Sequence, residues 1–573
     1  MNILKIKNGY SMVSDGVHFD FCDDRLPEEH GGLYRLTVEG MAPVPQIIAG
    51  DRLLLPVDEG IAITADKKYA SGEADCDRLG DRFCTRNGTM SMVIVERERK
   101  YLLIALDSGL HSEYRATRED GLYRLEITCH KACGVTYGIF DTLAEACKGY
   151  REIKGLSPVS LSQKLRANPE IEKLIGGAIF WVWNDHYDEV MYADHDTDIC
   201  PEVGEPLLSV SDRLARDGVG KAMFGLFFDG DSIFTEPLYK KYGYLSTQYD
   251  NYNDVLDPAL LKLVPRNRAK NCGYTARRMK DFPDGVSILG DGRMMNAWAL
   301  RGYDGQYHSQ KTLCPAVAAE RMREEIPAIL EKYPFYRGRF IDVYGVRLGE
   351  CHSKVHPVTR EQCLEVKKQA FRDLGDMGLI AGTEDGFEDL IDSLVYTEGL
   401  HSPGSFRIHE CGRKHAHIYD REQAEHLGKN MMDPASRVPL WHLVYHDCLL
   451  AFPYWGDSTD ASPEYIKTKI LFACLYGCAP LYSFFVKNFE RLREDILESY
   501  QKITAVHEKV ATLPMTSFES LTDDHRVQRS VFGERYEIVP ISRILSMFSG
   551  DTRFRRWICF SENYEENYDM MMV

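Results

Sequence analysis

Long apolar runs are missing from this chain: no stretch approaches the roughly 18 consecutive apolar residues that a membrane span requires. Basic stripes are missing too. Lys and Arg number 69 against 87 Asp and Glu, giving a net charge of −18, and phosphate-backbone binding needs clustered cations, so nucleic acid is excluded as a partner. The opening Met1-Asn2-Ile3-Leu4-Lys5-Ile6-Lys7 lacks the apolar core and small-residue cleavage site of a signal peptide, which predicts a cytoplasmic protein. Sixteen cysteines carry no zinc-like repeat. The nearest approach, Cys474 to Cys478, lies in an apolar segment, so reduced core thiols are expected. Internal repeats and low-complexity segments are also absent, and the sequence carries no signal for an oligomeric state.

What is present is a 573-residue chain, too long for one core. Residues 1–160 alternate polar and apolar, as in Tyr34–Glu39 and Tyr123–Ile127, with turn pairs such as Asn87-Gly88 between them. That predicts an N-terminal β-sandwich, left through a helix over Thr142–Ile153 and a linker helix over Ser162–Leu165. From Gly176 strands alternate with long helical or loop segments, so 161–513 is expected to be a (β/α)8 TIM barrel. The strands are placed at Gly177–Asn184, Ala222–Phe228, Tyr244–Asp250, around Asp342, around Glu384, at Arg407–Glu410, at Val438–Asp447 and at Ala479–Phe485. A long helix over Asn488–Leu513 closes it, Asn251–Tyr333 is read as an inserted loop, and 514–573 as a small C-terminal β unit. The fold class is thus α/β with flanking β domains.

The organising stretch is Arg339–Gly386. Phe340-Ile341-Asp342 and Ile380-Ala381-Gly382-Thr383-Glu384 are two apolar runs that each end in an acid, and Thr359–Met377 between them has helical spacing. Consecutive strands of a parallel barrel deliver their carboxyl ends to one face, so Asp342 and Glu384 are expected to share a cleft. Asp385 is the immediate competitor of Glu384.

Several segments resemble glycoside hydrolase families 129 and 101, the α-N-acetylgalactosaminidases acting on O-linked glycans: Ala144–Pro158, Gln163–Gly177, Tyr242–Val255, Phe340–Gly345, Gly382–Gly386 and Val438–Asp447. The resemblance covers residues 140 to 490. It implies an N-terminal β-supersandwich, a barrel and C-terminal β structure, and a retaining mechanism with Asp342 as nucleophile and Glu384 as acid/base. The chain departs from family 101 in lacking its export and binding modules, and a longer loop, Val346–Val358, separates the two acids.

Double displacement needs an ionised carboxylate below the anomeric carbon and a protonated one beside the leaving oxygen, about 5–5.5 Å apart. In an α-linked 2-acetamido sugar the amide lies on the wrong face to displace the leaving group, so an enzyme carboxylate must do it. Further candidates to hold the sugar stand at predicted strand ends: Asp250, Tyr252, Trp183, Asn184, Tyr344, His446, Asp447, Trp455 and Asp457, with carboxylates and imidazole reading hydroxyls and aromatic faces covering C–H surface. Asp229 and Asp231 read as a turn. His186, Asp194, His195, Asp196 and Asp198 fit no zinc helix or EF-hand loop, so no metal or cofactor is expected, and Cys351 lacks an identifiable partner for a thiol nucleophile. The expected function is a retaining α-glycosidase releasing α-linked N-acetylgalactosamine from small glycans or glycopeptides. The rival readings are an α-glucosidase or α-galactosidase on the same barrel and an inactive carbohydrate-binding protein.

Overall fold

A computed structural model describes residues 1–69, 82–86, 88–155, 157–183, 204–226, 234–264, 278–345, 349–400, 432–540 and 558–562. At the N-terminus a three-stranded antiparallel meander (Asn2–Ile6, Gly9–Ser14, Val17–Phe21) faces a nine-stranded sheet whose longest strand is Leu122–Phe140. The period-2 pattern divides that sheet's side chains. Val93, Val95, Leu102 and Ile104 pack with Tyr10, Met12, Phe19 and Phe21 of the meander, while Met92, Ile94, Leu103 and Ala105 pack with Leu143, Ala146 and Tyr150 of the helix Leu143–Ile153. That helix starts at Thr142, where Thr142 and Glu145 form a reciprocal capping box.

Eight parallel strands follow: Ala178–Trp183, Ala222–Leu226, Leu245–Asp250, Gly338–Ile341, Ile380–Gly386, Tyr396–Leu400, Leu450–Phe452 and Leu481–Phe485, numbered here one to eight. They pair in the order seven-six-five-four-three-two-one-eight, a nearly closed (β/α)8 barrel. The open seam between strands seven and eight is bridged by the segment between them. Thr459 N–H donates to the Leu481 carbonyl at 2.8 Å, and the Asp460 carboxylate accepts from Ser483 N–H at 3.1 Å and from the Ser458 hydroxyl at 2.7 Å. The helix Phe489–Val510 follows strand eight, and a four-stranded antiparallel sheet (Met515–Ser520, Gln528–Phe532, Tyr536–Pro540, Ile558–Glu562) lies C-terminal.

Three expectations are corrected. Val438–Asp447 is not strand seven: Leu440–Tyr445 is a helix whose six residues are all buried, and strand seven is Leu450–Phe452. A short segment apolar on every side has no period to distinguish helix from strand, and Pro439, just before the first turn, suits a helix start. Strand six is Tyr396–Leu400, reached from strand five through the 3-10 turn Glu388–Leu390; the expected site, Arg407–Glu410, lies outside the described residues. The inserted stretch Asn251–Tyr333 is not loop throughout. It holds a three-stranded antiparallel sheet (Asp254–Val255, Asn296–Arg301, Tyr307–Thr312) and the helix Pro315–Lys332.

Candidate active site

Along each barrel strand alternate residues face the barrel interior. Ile179, Trp181, Met223, Leu245, Tyr249, Phe340, Ile380, Tyr396, Leu450, Phe452, Leu481 and Phe485 form that interior cluster. Two glycines make room for its rings: a Cβ at Gly225 would sit 2.1 Å from the Trp181 indole, and one at Gly382 2.1 Å from the Tyr396 ring. Continuing the same alternation to the C-terminal rim puts Asp342, Glu384 and Glu398 on the interior side. Register confirms the level, because Ile341 pairs with Thr383, and Glu384 pairs with Glu398. Three consecutive strands therefore each present a carboxyl at one level.

Asp342 and Glu384 are 9% and 7% exposed, and Glu384 lies within hydrogen-bonding reach of Asp342. The Tyr249 hydroxyl donates to Asp342 Oδ2 at 2.5 Å, and the Asn251 amide reaches the same oxygen at 3.3 Å. Asn251 is itself fixed, its Oδ1 accepting from the N–H groups of Asn253 and Asp254. Burial, and then the Glu384 carboxyl, push Asp342 well above the usual carboxylate range, with the Tyr249 hydrogen bond opposing. Such a pair holds a proton that solvent-exposed acids would have lost. Glu398 is fully buried; Trp181 Nε1–H donates to its Oε2 at 2.8 Å, and burial raises it well above its ordinary value. Each acid of the pair is followed by a left-handed residue, Val343 (φ 48°) after Asp342 and Asp385 (φ 53°) after Glu384. For a β-branched valine this is a strained conformation, of the kind that collects at functional sites. Glu384 rather than Asp385 approaches Asp342; the Asp385 carboxylate lies beside Gly399, 3.2 Å from where a Cβ would stand.

The remaining candidates fall elsewhere. Asp250 is one residue out of phase with Tyr249 and faces outward, where its carboxylate meets Arg339, Arg278 at 3.5 Å and the Asn251 N–H at 2.9 Å. Its lone pairs are taken by structural partners. Tyr252 lies under the Arg278 guanidinium, 3.7 Å from ring centroid to Cζ, and Tyr344 packs on Phe371 and donates to the Pro315 carbonyl. His446 is held between the carbonyls of Leu513 and Gly477, and burial, then His442, lower it to about 4. Asp447 pairs with Arg151 at 3.1 Å. Both belong to the contact between barrel, N-terminal helix and C-terminal sheet, and the misread strand seven is the reason they were expected at the rim. Trp455 does join the interior cluster. Asp457 binds Lys469 at 2.8 Å and lines a cavity of about 100 Å³ with Gly399, Phe452 and Tyr454, beside strands six and seven. The Trp183 side chain and Asn184, Asp229, Asp231, His186, Asp194, His195, Asp196 and Asp198 lie outside the described residues. Sequence reading missed Tyr249, Asn251, Trp181 and Glu398. The first two were reachable by carrying the two-residue period back from Asp342 across the register, but Glu398 was hidden by the misplaced strand six.

The structure is thus an eight-stranded parallel barrel of the TIM type with carboxyls from consecutive strands at its C-terminal rim, between N- and C-terminal β structure. Comparisons narrow the class. Residues 412–531 match a family model described as glycosyl hydrolases related to GH101 family, GH129. The ligand-free α-N-acetylgalactosaminidase NagBb from Bifidobacterium bifidum is similar in fold at 16% identity and a TM-score of 0.68, over 95% of this chain and 99% of that one. Its GalNAc complex aligns with a TM-score of 0.67 at 16% identity, over 95% and 97% of the two chains. No curated protein sequence matches. Residues 412–531 are thus similar to the GH129 glycosyl hydrolases, and the chain as a whole shares the fold of NagBb. Among the described residues no helix is long and apolar enough to cross a membrane.

Proposed function

We propose that the protein is a retaining α-glycosidase that releases α-linked N-acetylgalactosamine from small glycans or glycopeptides, with the barrel over 161–513 as its catalytic domain between β domains at 1–160 and 514–573. The observation that carries this reading is the meeting of Asp342 and Glu384 at one level of the interior rim. Asp342 attacks the anomeric carbon while Glu384 protonates the leaving oxygen; water activated by Glu384 then cleaves the glycosyl ester. Burial and the neighbouring Glu384 carboxyl favour the protonated form of Asp342, and the reaction requires that proton on Glu384, with Asp342 ionised beside the anomeric carbon. Tyr249 and Asn251 hold one oxygen of the nucleophile, leaving the other for attack. The GalNAc complex of NagBb supports the choice of sugar by likeness of fold. A cytoplasmic location suits core thiols such as Cys147, Cys448 and Cys474, which are buried and form no disulfide.

The test is a panel of aryl α-glycosides. Turnover of the N-acetylgalactosaminide with retention, and covalent labelling of Asp342 by a fluorosugar, are expected. Preference for the α-glucoside or α-galactoside would replace the substrate, and sugar affinity with neither turnover nor label would make the protein a binding module.

A further inference from the structure

One cluster of side chains outside the rim has the composition of a metal centre and no part in the chemistry above. Cys314 stands at the N-cap position of the helix Pro315–Lys332. Cys351 and His356 stand on the loop that follows strand four, whose ends are joined by reciprocal hydrogen bonds between Cys351 and Val358. The two sulfurs and one imidazole nitrogen all lie within 4.8 Å of one another, with Cys351 Sγ 3.5 Å from His356 Nδ1. Ligands on a tetrahedral zinc, at about 2.3 Å for sulfur and about 2.0 Å for nitrogen, stand about 3.5 Å apart.

The imidazole is set for such a role by its other nitrogen. His356 Nε2 contacts the Asp284 carbonyl at 2.5 Å; a carbonyl only accepts, so Nε2 carries the proton and Nδ1 turns a lone pair toward the sulfurs. Zinc-bound histidines characteristically donate this outer hydrogen bond. Backbone N–H groups of Ala316 and Val317 point at the Cys314 sulfur and favour its thiolate, against burial, which pushes that thiol up to about 12.

We propose that Cys314, Cys351 and His356 bind a zinc-type divalent cation, fastening the loop after strand four to the helix behind it. Two thiolates and an imidazole select a soft or borderline ion over calcium or magnesium. Binding displaces two thiol protons to solvent, so affinity rises with pH. The anchored loop leads back to Tyr344, whose hydroxyl donates to the Pro315 carbonyl next to Cys314, two residues beyond Asp342. A second cluster, Glu59, His442 and Cys478, is a built-in control. There the Arg437 guanidinium already supplies the cation on Glu59, and among the described residues His442 Nδ1 has no hydrogen-bond partner to orient it.

The experiment is cobalt(II) titration of the full chain after chelator treatment and under a thiol reductant, read by thiolate-to-cobalt charge transfer. One equivalent giving the tetrahedral spectrum, displaced by zinc, is expected. The band is lost in C314S and C351S, weakened at least about tenfold in H356Q, and kept in C478S. Absence of the band in the wild type, or its loss in C478S with retention in C314S, overturns the proposal. Should C314S and C351S not fold, H356Q at its partly exposed position decides, and an unchanged affinity there overturns the proposal equally.

Discussion

Barrel strands three to six carry two sets of buried acids that differ by one residue of phase. The outward set is balanced: Asp250 meets Arg339 and Arg278, and Arg278 also binds Glu325 at 3.0 Å. The inward set is Asp342, Glu384 and Glu398. Among the described residues, and apart from Glu384 itself, the groups hydrogen-bonded to Asp342 and Glu398 are a phenol, an amide and an indole, all uncharged. Buried charges that only held the fold together would be paired, as Asp250 is. Leaving neighbouring carboxyls to repel costs stability and, with burial, raises the proton affinity of Asp342 and Glu398, so that a proton is kept at the rim for the acid step of the proposed reaction.

The comparison breaks most visibly in rate. D342A should lower kcat by about four orders of magnitude, roughly 5.5 kcal/mol of barrier, measured on an aryl N-acetylgalactosaminide. If D250A matched it with the fold intact, the two sets would not differ as described. E384Q should lower kcat by about 10²–10⁴ on a poor leaving group and far less on an activated aryl one; equal losses on both would move the acid elsewhere.

Stability sharpens the contrast by its sign. D250N leaves two buried guanidiniums under-compensated and should cost about 3–5 kcal/mol, read in urea unfolding. D342N should stabilise. Because the Asp342 pKa is raised on folding, the native state holds a proton that the unfolded chain loses above its ordinary carboxylate range, so wild-type stability falls as pH rises from there toward the folded pKa. The D342N advantage is thus full above the folded value and vanishes below about pH 4. A D342N variant less stable than wild type at neutral pH would make Asp342 a structural acid.

E398Q copies a protonated carboxyl and should keep kcat/KM within about tenfold, with the pH profile little moved; a hundredfold loss would mean that Glu398 works ionised. Smallest of all, D447N loosens a partly exposed pair with Arg151, for under about 1 kcal/mol and no change in kcat.

The order of β structure, barrel and β structure, the helices beginning at Thr142 and Thr359 and the acids of strands four and five were legible in the sequence, because each is written in local periodicity. The misplaced barrel strands both lie after Gly386. Leu440–Tyr445 is apolar on all sides, so its helical state is decided by neighbours and not by pattern. That slip carried His446 and Asp447 to the rim, and the misplaced strand six left Glu398 unseen.

By itself, the sequence determined that two βα units end in acids and that one barrel holds them, since strand period and helix period are properties of neighbouring residues. Only the tertiary structure decided which acids face inward. Asp250 and Tyr249 differ by one position, and pairing register, fixed by contacts with chain far away in sequence, turns one toward Arg339 and the other toward Asp342.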